Sequence, residues 1–457
     1  MWMKTPPGEK NCHFLNITSD EAGPNGISIQ VDKPFDEQAQ WQYLGGPLET
    51  KVDSDIAARI RSVYEKLPVL FQQITANTRI NYPFKYDCGT GKYLDSTVEE
   101  SLRKNIQQGN GKARATGFAI PVLGRLPKIF ADTYLLKCKL QLALKLLDMG
   151  TENSLRICIG KPCGGVRPLT VGHDDNVFLN GIAQQAIQVE IANLKILPEN
   201  LCSYQRGKGC SDATIVSCVT KEVAIQSDEY YLAEISDDAG KMFDRLYIKL
   251  QVALLQLAGV GKQGFAEWQY ANLTRGTNRL ITDIFVTTLN YQCGLPQGNG
   301  FSVEAANLYA LFLLIWWNMD PLHPGGTTFE SPRHAFSLTA EGSTKHVSSL
   351  AYVDDTTKFV AVLEETYPVS EFFDIIQGYC NLVADLSLVI KMGKNVKKCS
   401  ICLYNVPKNT EIPEFYSIAW SFDAQGPVKG IIETTVMQQD NESINLICVY
   451  QINQRFR

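Results

Sequence analysis

Two adjacent carboxylates, Asp354 and Asp355, sit between apolar runs that leave little place for solvated acids. Val347-Ser-Ser-Leu-Ala-Tyr-Val353 precedes the pair and Thr356-Thr-Lys-Phe-Val-Ala-Val362 follows it. The β-branched and aromatic content on both sides predicts strand, tight turn, strand. An acid pair at such a turn suits a divalent cation, because carboxylate oxygens are the hard ligands that Mg²⁺ prefers. Mg²⁺ is usually held by one or two carboxylates together with substrate phosphates. Asp is also an ordinary turn residue, so the pair by itself leaves a plain polar hairpin open.

At 457 residues the chain exceeds one ordinary compact core, so two or three structural units are expected. Its composition, 45% hydrophobic and 20% charged, is that of a water-soluble globular protein. The apolar stretch from Asn307 to Trp317 is short of the roughly 20 residues that span a bilayer, and it predicts a buried helix and no membrane partner. The N-terminus, with Lys4 and Lys10, has no apolar core of a signal peptide, so an intracellular protein, nuclear or cytoplasmic and not secreted, is expected. Thirteen scattered cysteines fit reduced thiols, and Cys399 with Cys402 forms a C-x-x-C without a second pair to complete a zinc site. The net charge of -5 hides a local excess: residues 101–170 carry twelve Lys and Arg against three acids. Such a stretch can neutralise phosphates, although a run of this kind is more often a solvated face.

The first 50 residues, rich in Gly, Pro, Asp and Asn, show little periodicity and predict irregular chain. Helical spacing appears over 55–75, 126–149 and 176–195. A loop, Tyr204-Gln-Arg-Gly-Lys-Gly-Cys-Ser211, leads into a helix capped by Ser211 or Asp212. Tyr230–Ser236 reads as a strand running into Asp237-Asp238, 241–258 as a helix, 280–288 as a strand and 300–318 as the long apolar helix. A polar excursion over 321–345 then reaches the hairpin. Asp238 is thus a second acid at the end of an apolar strand, more than a hundred residues before Asp354. Two strand-end carboxylates of this kind are what a two-metal nucleotidyl transfer needs.

Several ordered blocks resemble the reverse transcriptase domain of non-LTR (LINE-like) retrotransposons. Asp238-Ala-Gly-Lys-Met-Phe-Asp244 is similar to the first palm motif, D-x-x-K-A-F-D, with Met242 in place of Ala. Gly294-Leu-Pro-Gln-Gly298 resembles G-x-P-Q-G, and Tyr352-Val-Asp-Asp355 resembles Y-x-D-D. Lys161-Pro162 with Arg167-Pro168-Leu169 is similar to the fingers motif, Tyr204–Ser211 to the Q-x-G-x-x-G-x-S-T loop, and Asn395-Val-Lys-Lys398 to N-x-x-K. The resemblance covers about residues 120–405. Viral RNA-dependent RNA polymerases differ in having D-x4-D and G-D-D at the corresponding places.

The resemblance implies an α+β right-hand polymerase with an antiparallel palm sheet backed by helices. Residues 1–100 would be a poorly defined region with one helix, 101–230 the fingers, 231–405 the palm, and 406–457 a tail or partial thumb. It implies RNA-directed DNA polymerase activity with an RNA template, a nucleic-acid primer, dNTPs and two Mg²⁺ ions, with Mn²⁺ as a substitute. Asp238 and Asp354 would hold the metals with the Ala239 carbonyl, and Asp355 would support them. Lys161 and Arg167 would bind the triphosphate, Phe243 would exclude a ribose 2′-hydroxyl, and Gln297-Gly298 would approach the nascent pair. Lys398 would donate a proton to pyrophosphate, although Lys394 and Lys397 stand close by. Trp41-Gln-Tyr-Leu-Gly-Gly-Pro-Leu48 resembles the family's Y-L-G segment, which normally follows the palm. No endonuclease, RNase H or zinc-knuckle pattern accompanies these blocks. The alternative expectation is therefore a catalytically inactive retroelement remnant that only binds RNA.

Overall fold

The computed structural model describes residues 16–18, 28–30, parts of 58–70 and 99–107, 120–144, 153–160, 166–194, 197–246 and 343–421 with single gaps, and 426–437. Between 250 and 340 it describes 250–251, 254, 277–281, 286–290, 294–295, 301–318 and 334–340. In chain order the elements begin with β1 (Asn16–Thr18), β2 (Ser28–Gln30), α1 (Lys128–Leu144), β3 (Asn153–Gly160), β4 (Val166–Gly172), α2 (Asp174–Leu194) and α3 (Cys210–Ser227). They continue with β5 (Tyr230–Asp238), α4 (Met242–Arg245), β6 (Thr277–Ile281), β7 (Val286–Asn290), α5 (Phe301–Trp317), β8 (Phe336–Ala340) and β9 (Ser343–Val347). The last are β10 (Ser349–Tyr352), β11 (Asp355–Leu363), α6 (Val369–Val389), β12 (Ser400–Tyr404), β13 (Tyr416–Ser421), β14 (Gly426–Ile431) and β15 (Glu433–Met437).

The chain is α+β. A central five-stranded sheet has the order β10-β11-β5-β12-β15, and a second sheet has the order β4-β3-β6-β7. Side chains alternate between the faces of a strand, and the central sheet shows this cleanly. Tyr231, Ala233 and Ile235 of β5 join Val360 and Val362 of β11 on one face, in a core with Phe312 and Trp316 of α5 and Phe372, Ile376 and Tyr379 of α6. Leu232, Phe359, Ala361, Cys402 and Tyr404 occupy the other face with Ala224 of α3. On this second face Glu234 is buried, and its carboxylate accepts from Lys221 and Ser217 of α3 and from the Tyr404 hydroxyl, each at 3.3 Å. Three donors compensate the desolvation of one carboxylate and tie α3 across the strands.

Helix α5 is apolar on nearly every side because it is enclosed, as a helix without a polar face must be. Its two indoles, Trp316 and Trp317, donate to the carbonyls of Leu382 (2.7 Å) and Tyr379 (3.2 Å) on α6, so neither buried N–H is orphaned. Lys358 of β11 points into the same core with its ammonium 4.5 Å from the Tyr379 ring, and burial lowers its pKa to about 7. Helix α6 is itself long and apolar enough to cross a bilayer by length and composition, but 72% of the qualifying window is buried inside the protein. It acts here as a core helix.

Several expectations need correction. The central sheet is mixed rather than antiparallel, because β15 pairs parallel to β12 after the β13–β14 hairpin carries the chain back. That strand adds residues 433–437 to the central sheet. The strand expected over 280–288 is a hairpin, β6–β7, and the end of the 321–345 excursion is another, β8–β9. In the N-terminal stretch expected to be irregular, β1 pairs antiparallel with β2. The Y-L-G-like segment lies outside the described residues, as does 438–457.

Because Trp316 is fully buried where α5 meets α6, Trp316→Ala is expected to destabilise the protein by about 3–5 kcal/mol. The midpoint of urea unfolding measures this.

Candidate active site

Register builds the site. Strands β5 and β11 pair antiparallel from Leu363↔Tyr230 to Asp355↔Asp238, so Asp238 and Asp355 stand directly opposite each other on the α3 face. Asp354 lies beside them in the two-residue turn that joins β10 to β11. Val353, the first turn residue, has φ 61°, while no positive φ occurs at Asp354. Positive φ at the first central residue alone is the mark of a type II′ turn, which favours Gly there. A β-branched residue in that conformation is strained by about 1–3 kcal/mol.

The approach of these acids is visible in their electrostatics. Burial raises the Asp238 pKa, and the Asp354 carboxylate raises it further, while Lys398 and a hydrogen bond from Asn395 oppose both. The Lys398 ammonium is 3.6 Å from Asp238 Oδ2 and 66% exposed. Asp355 lies near the first residue of α3: the Cys210 thiol is raised by burial and then by the charge of Asp355. An acid beside a helix N-terminus is favoured by the helix dipole.

Three segments hold the acids in place. Residues 393–395 run alongside the end of β5, with Gly240 N–H donating to Gly393 O (2.7 Å) and Asn395 N–H to Asp238 O (3.0 Å) around an Ala239↔Lys394 bridge. In such a wide pair the bridged residues turn their own N–H and C=O outward. The Ala239 carbonyl therefore faces away from Lys394, toward the β11 side where Asp354 lies. The second segment starts at Gly294, which donates to Leu246 O (2.7 Å) at φ 88°. A Cβ there would come within 2.6 Å of Asp244 O, so only Gly lets this backbone dock on the turn after β5. The third is 200–212. Ala351 N–H donates to Asn200 O (3.0 Å), Cys202 N–H donates to Ala351 O (2.9 Å), and buried Ser203 and Asn307 bond each other at 2.7 Å. Gly207, at φ 78°, turns the chain, and Asp212 caps α3 by accepting from Gly209 N–H (2.7 Å).

The structure thus brings together Asp238, Ala239, Asp354, Asp355 and Lys398. Phe243 follows on α4, half-buried against the core. Arg167 lies on β4 in the second sheet with its side chain outside the described atoms, and Lys161, Gln297 and Gly298 lie outside the described residues. Helix α3 begins at Cys210, so Gly209 is the capping position expected at Ser211 or Asp212, with Asp212 supplying the capping oxygen. Two residues central to the geometry carry no role in the sequence reading. Asn395 bonds Asp238, and Lys394, only 2% exposed, forms an ion pair with Asp237. Burial lowers the Lys394 pKa to about 7, with Cys399 opposing. The N-x-x-K spacing signalled Asn395, whereas nothing in a run of lysines distinguishes Lys394. Cys399 and Cys402 are free thiols.

Among the described residues no group of three or more His, Cys, Asp or Glu side chains forms a metal cage. The donors present still suit Mg²⁺, which takes few carboxylates and completes its shell with water and phosphate. Asp238, raised by burial and a like charge, is a carboxylate whose ionised form a divalent cation would relieve. No protein-family model matches the chain, and no curated protein matches it in sequence.

Two outcomes follow from this geometry. Val353→Gly is expected to raise stability by about 1 kcal/mol in urea unfolding, the relieved strain exceeding the entropy cost of Gly. The raised Asp238 pKa means that its ionised form costs the fold stability as pH rises through the folded-state value. Asp238→Asn should therefore be more stable than wild type at neutral pH. The gain should vanish once acid protonates Asp238 in both folded and unfolded chains, as unfolding curves across pH will show.

Proposed function

We propose that this chain is a reverse transcriptase of a non-LTR retroelement, an RNA-directed DNA polymerase that adds dNTPs to a primer 3′-hydroxyl on an RNA template. The observation that supports it best is the convergence of Asp238, Asp354 and Asp355, far apart in sequence, at one end of the neighbouring strands β5 and β11. On this reading the central sheet with α5 and α6 is the palm, and the basic stretch with the second sheet forms the fingers.

Asp238, Asp354 and the Ala239 carbonyl would hold two Mg²⁺ ions, which when bound supply the positive charge that favours the primer alkoxide and the leaving pyrophosphate. Asp355 adds negative charge opposite Asp238 and is itself set by the α3 terminus. Lys398 is near enough to Asp238, and exposed enough, to leave it and give a proton to pyrophosphate. Phe243, partly buried against the core, would present its ring where a ribose 2′-hydroxyl would collide. Lys161 and Arg167 would meet the triphosphate, and Gln297 with Gly298 the nascent base pair. The free thiols fit an intracellular, nuclear or cytoplasmic setting.

One observation favours a second reading, a catalytically inactive remnant that only binds RNA: Lys398 already supplies a positive charge to Asp238.

Purified protein given a primed RNA template, dNTPs and Mg²⁺ or Mn²⁺ is expected to extend the primer. Asp354→Ala is expected to lose about 10³-fold or more in rate while keeping template affinity. Extension by the Asp354→Ala protein at the wild-type rate would refute the site. Template binding without extension by the wild type in either metal would establish the inactive reading.

A further inference from the structure

Helix α6 turns one side to the core and the other to a cleft of about 650 Å³. Ala58, Arg59, Ser62 and Lys66 form the second wall, and residues from 413–418 with Lys429 form the third. This cleft is separate from the acids, whose face of the central sheet is the α3 face rather than the α6 face. Its volume lies in the range of sites that enclose a small organic ligand.

Most of its polar groups are already committed. Arg59 donates to Asp385 (2.7 Å) and Asn381 (3.2 Å). Gln377 uses both ends of its amide on the Tyr416 backbone, each at 2.9 Å, and the Tyr416 hydroxyl donates to Glu414 at 2.7 Å. Of the charged groups, Lys66, Lys429 and Asp374 remain. Lys66 is half-buried, has no hydrogen-bonded acid among the described residues, and has its pKa lowered by burial despite the charges of Asp385 and Glu65. Lys429 rests 4.0 Å over the Tyr416 ring and contacts no carboxylate among the described residues. Asp374 is an exposed acid at the rim.

Two cations, neither of them in an ion pair with a carboxylate among the described residues, and the rim acid Asp374 define the complement. Two ammonium groups match the charge of a phosphate monoester, about −1.5 to −2 at neutral pH, better than the single charge of a carboxylate. Asp374 accepts hydrogen bonds and suits a hydroxyl or amino donor, and the volume leaves room for a carrier that bare phosphate would not fill. We infer that this cleft binds a small phosphate monoester of nucleotide or sugar-phosphate size, with its phosphate on Lys66 and Lys429 and a donor of the carrier on Asp374. The site is independent of the polymerase reading, and either can fail alone.

Isothermal titration of the full chain in metal-free buffer with EDTA tests it, with adenosine 5′-monophosphate as the probe and adenosine and inorganic phosphate as controls. The monophosphate should bind saturably, and each control about tenfold or more weaker. Lys66→Met and Lys429→Met should each weaken the monophosphate by about tenfold, and Asp354→Ala should leave its affinity unchanged. Lys429 lies exposed on β14, so Lys429→Glu gives a folded variant with reversed charge, in which binding should disappear. The proposal is overturned by the absence of saturable binding, or by full binding in Lys429→Glu. It is also overturned by loss of binding in Asp354→Ala, or by an RNA oligonucleotide whose affinity falls with the same lysine variants while the monophosphate does not bind.

Discussion

The pairing of β5 with β11 is the constraint on which everything else rests. Its register runs without interruption from Leu363↔Tyr230 to Asp355↔Asp238. The alternation of a strand makes that register all-or-none, since a one-residue slip exchanges the two faces. A slip would turn Val360 and Val362 away from α5 and α6 and carry Lys358 with them. It would also move Asp355 off the face it shares with Asp238. Packing of the apolar residues therefore holds the carboxylates in place, and the stability of the core and the geometry of the site are one fact.

Strand β5 carries three acids, and each has its own lysine. Glu234 pairs with Lys221, Asp237 with Lys394 and Asp238 with Lys398. Burying charges is costly unless partners compensate, so these pairings follow from where the strand puts its carboxylates. The three lysines differ in freedom. Lys221 and Lys394 are enclosed, while Lys398 is mostly in solvent. Only Asp238 has a partner that is itself mostly in solvent and so free to move away. A carboxylate held in a strained hairpin's neighbourhood, partly desolvated and lightly neutralised, is suited to exchange one cation for another.

Much of the architecture was legible along the chain. Apolar, β-branched and aromatic runs over 230–236 and 356–362 predicted the strands that become β5 and β11, and uninterrupted apolarity predicted α5, because those patterns record burial directly. The hairpins β6–β7 and β8–β9 were missed, since each is short and lies in polar sequence where no face is strongly marked. The parallel β15 was missed for a different reason. Nothing local in Glu433–Met437 specifies which strand it will join, and the choice depends on how β13 and β14 bring it back to β12.

The sequence by itself determined which residue types could form a site: adjacent acids at a hairpin, another acid at a strand end, a glycine before Leu295 and a lysine three residues after Asn395. Spacing carries that information because turns and strand ends restrict which residues they accept. Only the tertiary structure decided that Asp355 rather than Asp354 lies opposite Asp238. It alone put Asn395 in contact with that carboxylate, and it gave Lys394 to Asp237 while leaving Lys398 in solvent. Those distinctions arise from long-range register and burial, which place chemically identical side chains in different surroundings and so give them different roles.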